Sequence, residues 1–262
     1  TAVGYAAMQN CTTGEYNVAV GHAALDGVLT GDSNTAVGNS ALGVNTSGTL
    51  NVAVGNNALD ALTTSHYNTA IGYAALGACT TGTFNVAVGY QALATSTTTS
   101  QNTAVGYNAM VNCTGSGNVA VGDQAMLTAN AASYNVAVGD HAGDSITDGT
   151  GNQLLSYYAG AGIDYNVCIG YNSGTHSVAT TTGSGNIFIG NGSHSSAVDV
   201  SNEMVIGASA NNQGKGTGTG FITAGSGGMY QGSNGTAWTA TSDRRIKKDI
   251  VPNTKGLAAI IQ

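Results

Sequence analysis

Asn17-Val18-Ala19-Val20-Gly21 returns as Asn34-Thr35-Ala36-Val37-Gly38, and again from Asn51, Asn68, Asn85, Asn102, Asn118 and Asn135. The period is about 17 residues, with the single step from Asn102 to Asn118 shorter by one. Thr1-Ala2-Val3-Gly4 fits the same frame without its Asn, which makes nine copies. Three weaker copies follow: Asn166-Val167-Cys168-Ile169-Gly170, Asn186-Ile187-Phe188-Ile189-Gly190, and Asn202-Glu203-Met204-Val205-Ile206-Gly207, the last with one extra residue. Behind the strict copies comes Ala and then Leu or Met, from Ala24-Leu25 to Ala125-Met126, until the ninth copy reads Ala142-Gly143. The remainder of each repeat is rich in Thr, Ser, Gly and Asn, as turns are.

Alternation of Val18 and Val20 with Asn17, Ala19 and Gly21 has period two, the mark of a short strand with two different faces. A glycine recurring every 17 residues inside the patterned segment argues against helix. One short strand per repeat suits one coil of a parallel β-solenoid, in which stacking at about 4.8 Å turns each repeat position into a column. Some twelve coils then give a shaft about 55 to 60 Å long. Val20, Val37, Val54, Ile71, Val88, Val105, Val121 and Val138 are expected to form an interior aliphatic column beside the Leu/Met column, with the Asn column as an amide ladder. So thin a coil buries little apolar area, so the Ala/Gly face is expected to pack against other chains as a homotrimer.

The residue after the repeat Asn alternates between Thr and Val, and Cys11, Cys79 and Cys113 fall at one place in Thr-type repeats. A 34-residue coil therefore competes with a 17-residue one, and 17 needs fewer assumptions. With 17, Cys79 and Cys113 lie two coils, about 9.6 Å, apart, beyond the reach of a disulfide. The four cysteines then read as small apolar ladder residues.

Charged residues are 7% of the 262, against about 25% in an ordinary soluble domain. Residues 1–241 hold eleven acids and one base, Lys215, for a net −10. Residues 242–262 hold Arg244, Arg245, Lys247, Lys248 and Lys255 against Asp243 and Asp249, for a net +3, and include the only proline, Pro252. Such a break marks a domain boundary. The acidic body disfavours nucleic acid as a partner. The longest apolar runs are too short to span a membrane as a helix. Thr1 stands inside a repeat, so the chain reads as a piece with more sequence upstream.

His22, His66, His141, His176 and His194 show no ligand spacing and read as surface or turn residues, so no metal and no cofactor are expected. Gly214-Lys215-Gly216-Thr217-Gly218-Thr219-Gly220 lacks the Gly-Lys-Ser/Thr ending of a phosphate loop and reads as connector. Tyr73, Tyr90 and Tyr107 recur just after the motif glycine, with Tyr5 and Tyr171, and Tyr16, Tyr67, Tyr134 and Tyr165 just before the Asn. Rows of tyrosine either stack on one another along the coil edge or offer rings to a glycan. Asp140, Asp144 and Asp148 are the one acidic cluster that paired-carboxylate glycan hydrolysis would need.

The Asn-x-Ala-Val-Gly units, over about residues 1–207, resemble the head repeats of trimeric autotransporter adhesins and the related repeats of phage tail fibres. That resemblance implies a trimeric β-roll. Trp238-Thr239-Ala240-Thr241-Ser242-Asp243-Arg244-Arg245-Ile246-Lys247-Lys248-Asp249-Ile250 resembles the entry to the self-cleaving intramolecular chaperone domain of phage tail spikes, endosialidases and some fibres. The resemblance implies cleavage of the Thr241–Ser242 bond, with Ser242 as nucleophile and Lys247 as general base. Residues 242–262 are too few for the whole of that domain.

The expectation is therefore all-β: a parallel β-roll shaft over 1–207, a Gly/Ser-rich stem over 208–241, and over 242–262 the start of a chaperone domain opening on a short helix. It implies a homotrimeric phage tail fibre or similar virion appendage, outside the cell, attaching to a host glycan or protein receptor and held by other tail proteins. No activity is expected in the shaft, and the resemblance implies autoproteolysis at Thr241/Ser242 in the full-length protein only. A bacterial surface adhesin shares the repeats but would end in a membrane anchor, and a glycan-cleaving tail spike is the remaining alternative.

Overall fold

The computed structural model describes residues 1–27, 29–144, 146–160, 164–174, 183–207, 213–224, 227–231 and 239–241. These form a single 16-stranded sheet in which strand order follows chain order. The first strands are β1 Ala2–Val3, β2 Val18–Val20, β3 Thr35–Val37, β4 Val52–Val54, β5 Thr69–Ile71 and β6 Val86–Val88. Next come β7 Thr103–Val105, β8 Val119–Val121, β9 Val136–Val138, β10 Gln153–Leu155, β11 Val167–Ile169 and β12 Ile187–Ile189. The series closes with β13 Met204–Gly207, β14 Gly220–Ala224, β15 Gly227–Gln231 and β16 Thr239–Thr241.

Strands β1 to β14 pair in parallel, each with the next: Thr69 lies on Val86, Ala70 on Ala87 and Ile71 on Val88. This register makes each repeat one coil, because Thr-type and Val-type repeats are direct neighbours. The 34-residue alternative is thereby removed. Cys79 and Cys113 accordingly flank the coil of Ser96, whose hydroxyl donates to Cys113 O (2.5 Å), and all four cysteines are free.

Hydrogen bonds run from coil to coil around the turn as well as along the strand. Val18 N–H donates to Asn34 O (2.9 Å), Gly21 N–H to Val3 O (2.9 Å), Ala23 N–H to Tyr5 O (2.9 Å) and Leu25 N–H to Ala41 O (3.0 Å). To aim these groups along the stack, the turn alternates in hand. Gly21 (φ 138°), Ala23 (φ 52°) and Leu25 (φ 50°) all lie at positive φ, and the pattern repeats coil after coil.

One expectation about the core is reversed. The strand alanines, Ala19 through Ala137, are fully buried, whereas Val20, Ile71 and Val138 are 36%, 40% and 38% exposed. The Val/Ile column faces out of this chain. The coil explains why: Ala24-Leu25 and its equivalents, also at 0%, press Leu or Met against the inner strand face, and only a methyl fits between. The alanines are thus out of reach of a second chain, and the surface left for one is the Val/Ile face.

A coil passed over in the repeat count is also present. Asn152-Gln153-Leu154-Leu155-Ser156 forms β10, paired to Ala137 and Cys168 through Leu154. It keeps the Asn, but Leu replaces both Ala and the second Val, and Ser156 (φ 129°) replaces the glycine. The next ladder Asn, Asn166, comes three positions early. In the last copy the ladder position belongs to Glu203 and not Asn202, since Met204 pairs with Ile187.

Beyond residue 207 the sheet continues. β14 extends the parallel stack, and β15 and β16 add to it antiparallel. Within the expected stem, Gly220–Ala224, Gly227–Gln231 and Thr239–Thr241 are strands. No helix occurs among the described residues, and none is long and apolar enough to cross a membrane. The expected C-terminal helix falls outside the described residues.

Candidate functional site

The aromatic face is built from the residue that follows each strand's closing glycine. Its positions stack coil on coil through backbone bonds. Gln91 N–H donates to Tyr73 O (2.9 Å), Asn108 N–H to Tyr90 O (2.9 Å), Gln124 N–H to Tyr107 O (2.8 Å), His141 N–H to Asp123 O (2.8 Å) and Tyr158 N–H to Asp140 O (3.1 Å). One unbroken column thus runs Tyr73, Tyr90, Tyr107, Asp123, Asp140, Tyr157. Ring centroids of Tyr73 and Tyr90 are 5.2 Å apart at 11°, and those of Tyr90 and Tyr107 are 5.3 Å apart at 13°. Tyr157 continues the pattern onto Tyr171 at 5.3 Å and 10°.

Of the two readings of these tyrosines, mutual stacking is the one realised. Tyr90 has a neighbour on each face, so rings in the ladder present edges and hydroxyls to solvent, while a pyranose needs a free face. The column before the Asn behaves alike: Tyr67 and Phe84 stack at 4.9 Å and 6°. Tyr134 and Tyr165 lie over Gly117 and Gly151, where a Cβ would strike their rings.

Within the acidic cluster, two carboxylates have side-chain partners next to them in sequence. Asp140 Oδ1 is 2.5 Å from His141 Nδ1, and Asp148 Oδ1 accepts from Thr147 Oγ1 (3.1 Å). His141 in turn stacks on Tyr158 (4.6 Å, 29°). Among the described residues, no group of three His, Cys, Asp or Glu side chains is placed to hold a metal, and Asp140 and His141 lie within salt-bridge distance of each other. Lys215, the single base of residues 1–241, lies over the Phe221 ring, 4.9 Å from its centroid. His194 departs from the expected surface setting: it is 4% exposed, with Nδ1 2.8 Å from Ser195 O.

Glu203 is the polar residue that the sequence does not single out. At 1% exposure it stands where Asn stands in the coils below. Its N–H donates to Asn186 Oδ1 (2.9 Å). Its carboxylate accepts from Gly216 N–H (2.6 Å) and Ser196 N–H (3.3 Å). The glycine-rich Gly214–Gly220 loop therefore turns its amides on an internal carboxylate. Burial raises the Glu203 carboxyl above its ordinary pKa, and the amide bonds from Gly216, Ser196 and Lys215 oppose that rise.

A raised folded-state value means that the protonated form suits the fold. The contribution of Glu203 to stability is full below its unfolded pKa and declines as pH rises through the folded one. Amide exchange at Gly216, compared between the native chain and Glu203→Gln, is expected to show the native cap gaining protection relative to the variant as pH falls through the carboxylate range. Growing protection with rising pH would mean that the amide bonds outweigh burial. Burial likewise pushes the Cys79, Cys113 and Cys168 thiols up, so they are poor nucleophiles.

Thr241 ends the edge strand β16, its backbone paired with Gly228. Ser242 and Lys247, expected as nucleophile and base, lie outside the described residues, as does His176.

Fold and surface together define a parallel β-solenoid with stacked aromatics and acids on one edge and an aliphatic outer face. No protein-family model, curated protein or solved structure matches the chain.

Proposed function

We propose that the chain is the shaft of a trimeric fibre of a phage tail or similar virion appendage, extracellular and involved in host attachment, matured by a self-cleaving C-terminal chaperone. The observation that carries this reading is the aliphatic column on the outer strand face, unbroken from Val20 through Leu155 to Ile189 and partly exposed along its length. A monomer seldom leaves so long an apolar stripe in water. Two further copies, each presenting the same stripe, would bury it around a three-fold axis. The Ser242-Asp243-Arg244-Arg245 segment supports the maturation step by its resemblance to chaperone-domain entries.

One preparation tests both the assembly and the maturation. Expressed from the full-length gene, the product is expected to weigh three chains in native solution and to end at Thr241 when denatured. Val88→Lys combined with Val105→Lys puts two charges per chain into the buried stripe and is expected to yield monomers that keep the β-sheet spectrum. A native monomer would overturn the fibre reading, and a chain continuing uncut through Ser242 would remove the roles of Ser242 and Lys247 while leaving the fibre.

A further inference from the structure

The column past the glycine corner holds more than stacked tyrosines. Three rings in register, Tyr73, Tyr90 and Tyr107, are followed on the next two coils by Asp123 and Asp140. Each of the three tyrosines is about half exposed, at 47%, 43% and 51%. The ladder therefore offers a straight row of ring edges along the shaft axis, ending on carboxylates. Asp140 is engaged by His141. Asp123 is exposed, with no base in salt-bridge range among the described residues. The shaft around it carries eleven acids to one base. A flat molecule lying along the axis would touch ring after ring at the near-constant centroid spacing of 5.2 and 5.3 Å. A positive charge at its end would meet the two aspartates and the negative field of the shaft.

We infer that this column is a binding site for an elongated, planar aromatic cation, held lengthwise on Tyr73, Tyr90 and Tyr107 with its charge toward Asp123 and Asp140. The inference is independent of host attachment and of the number of chains. The residues concerned lie in the turn beyond the strand, whereas self-association would cover the strand's outer face. Ring contact supplies the affinity, because successive aromatic contacts add along a rigid rod that loses little freedom on binding. The carboxylates supply orientation and preference for charge.

Thioflavin T, a planar aromatic cation, is a suitable probe on the intact chain. Saturable fluorescence enhancement is expected, weakening with added salt. Tyr90→Ala removes the central ring and is expected to cost about tenfold in affinity, while Tyr90→Phe keeps the ring and the affinity. Asp123→Asn is expected to weaken binding several-fold and flatten its salt dependence. Tyr67→Ala, in the other aromatic column, is expected to leave binding unchanged. The β-sheet circular dichroism of each variant confirms that the stack is intact. The proposal is overturned if thioflavin T does not bind, if Tyr90→Ala binds as tightly as the native chain, or if the planar anion Congo red binds the same column as tightly.

Discussion

Gly89→Ala is expected to pry neighbouring coils apart and to be among the most damaging single methyl additions in the shaft. Gly89 sits at φ 138°, and a Cβ there would fall on the backbone carbonyl of Gly106 in the next coil. Holding an L-residue in that region costs about 1–3 kcal/mol. The clash is with backbone, which can yield only by lifting one coil off the other, so a total above about 3 kcal/mol is expected. The bonds in line to break are Gly106 N–H to Val88 O (2.8 Å) and Asn108 N–H to Tyr90 O (2.9 Å). Because each coil touches only its neighbours, the damage should stay local. Amide exchange is expected to accelerate at Gly106 and Asn108 and to remain slow at Gly38. Gly77→Ala, at a glycine without positive φ, provides the contrast, with a change within about 1 kcal/mol. Equal effects of the two substitutions would mean that the glycine column is not set by backbone contact.

The second large effect is expected at Asn85. Its Nδ2 donates to Thr99 O (2.8 Å) and Asn68 Oδ1 (3.1 Å), and its Oδ1 accepts from Asn102 N–H (3.0 Å). The side chain is fully buried. Asn85→Ala leaves the Asn102 N–H and the Thr99 carbonyl without these partners, at about 1–3 kcal/mol for each orphaned buried group. A drop of about 2–6 kcal/mol in the urea-derived stability of the stack is expected, with the Asn102 amide losing protection first. A loss no greater than that of an exposed substitution would show that water replaces the amide at this position. Asn and Gly thus occupy every coil from β2 to β9 for separate reasons: one satisfies buried backbone groups, the other avoids the coil above.

That division explains how much was legible. The period, the Asn ladder and the glycine column are demands each coil makes on the next, and such demands repeat in the sequence at the coil length. Strand positions from β2 to β9 therefore followed from spacing alone. β10 escaped because its Leu154 and Ser156 keep the geometry but not the letters, and the shortened step to Asn166 broke the count. Glu203 escaped for a related reason. Its polar neighbour Asn202 carried the expected letter one residue early, and only pairing of Met204 with Ile187 assigns the ladder place to the carboxylate. The tyrosine column was visible as a spacing. Whether the rings met each other or turned to solvent depended on the coil separation and turn hand, which stack them at 5.2 and 5.3 Å.

By itself the sequence determined that the chain winds into stacked coils of one repeat or two, because a repeat length is a one-dimensional property and neighbouring coils touch at equal positions, and the pairing of Thr-type with Val-type strands decided for one. Tertiary structure alone decided which strand face is inside. Val-Ala-Val alternation specifies two faces without saying which is the core, and hydrophobicity favours the valines. The choice falls to the width of the coil: Leu25 and its equivalents already fill it from the opposite wall, so the alanines go in and the larger Val and Ile side chains go out.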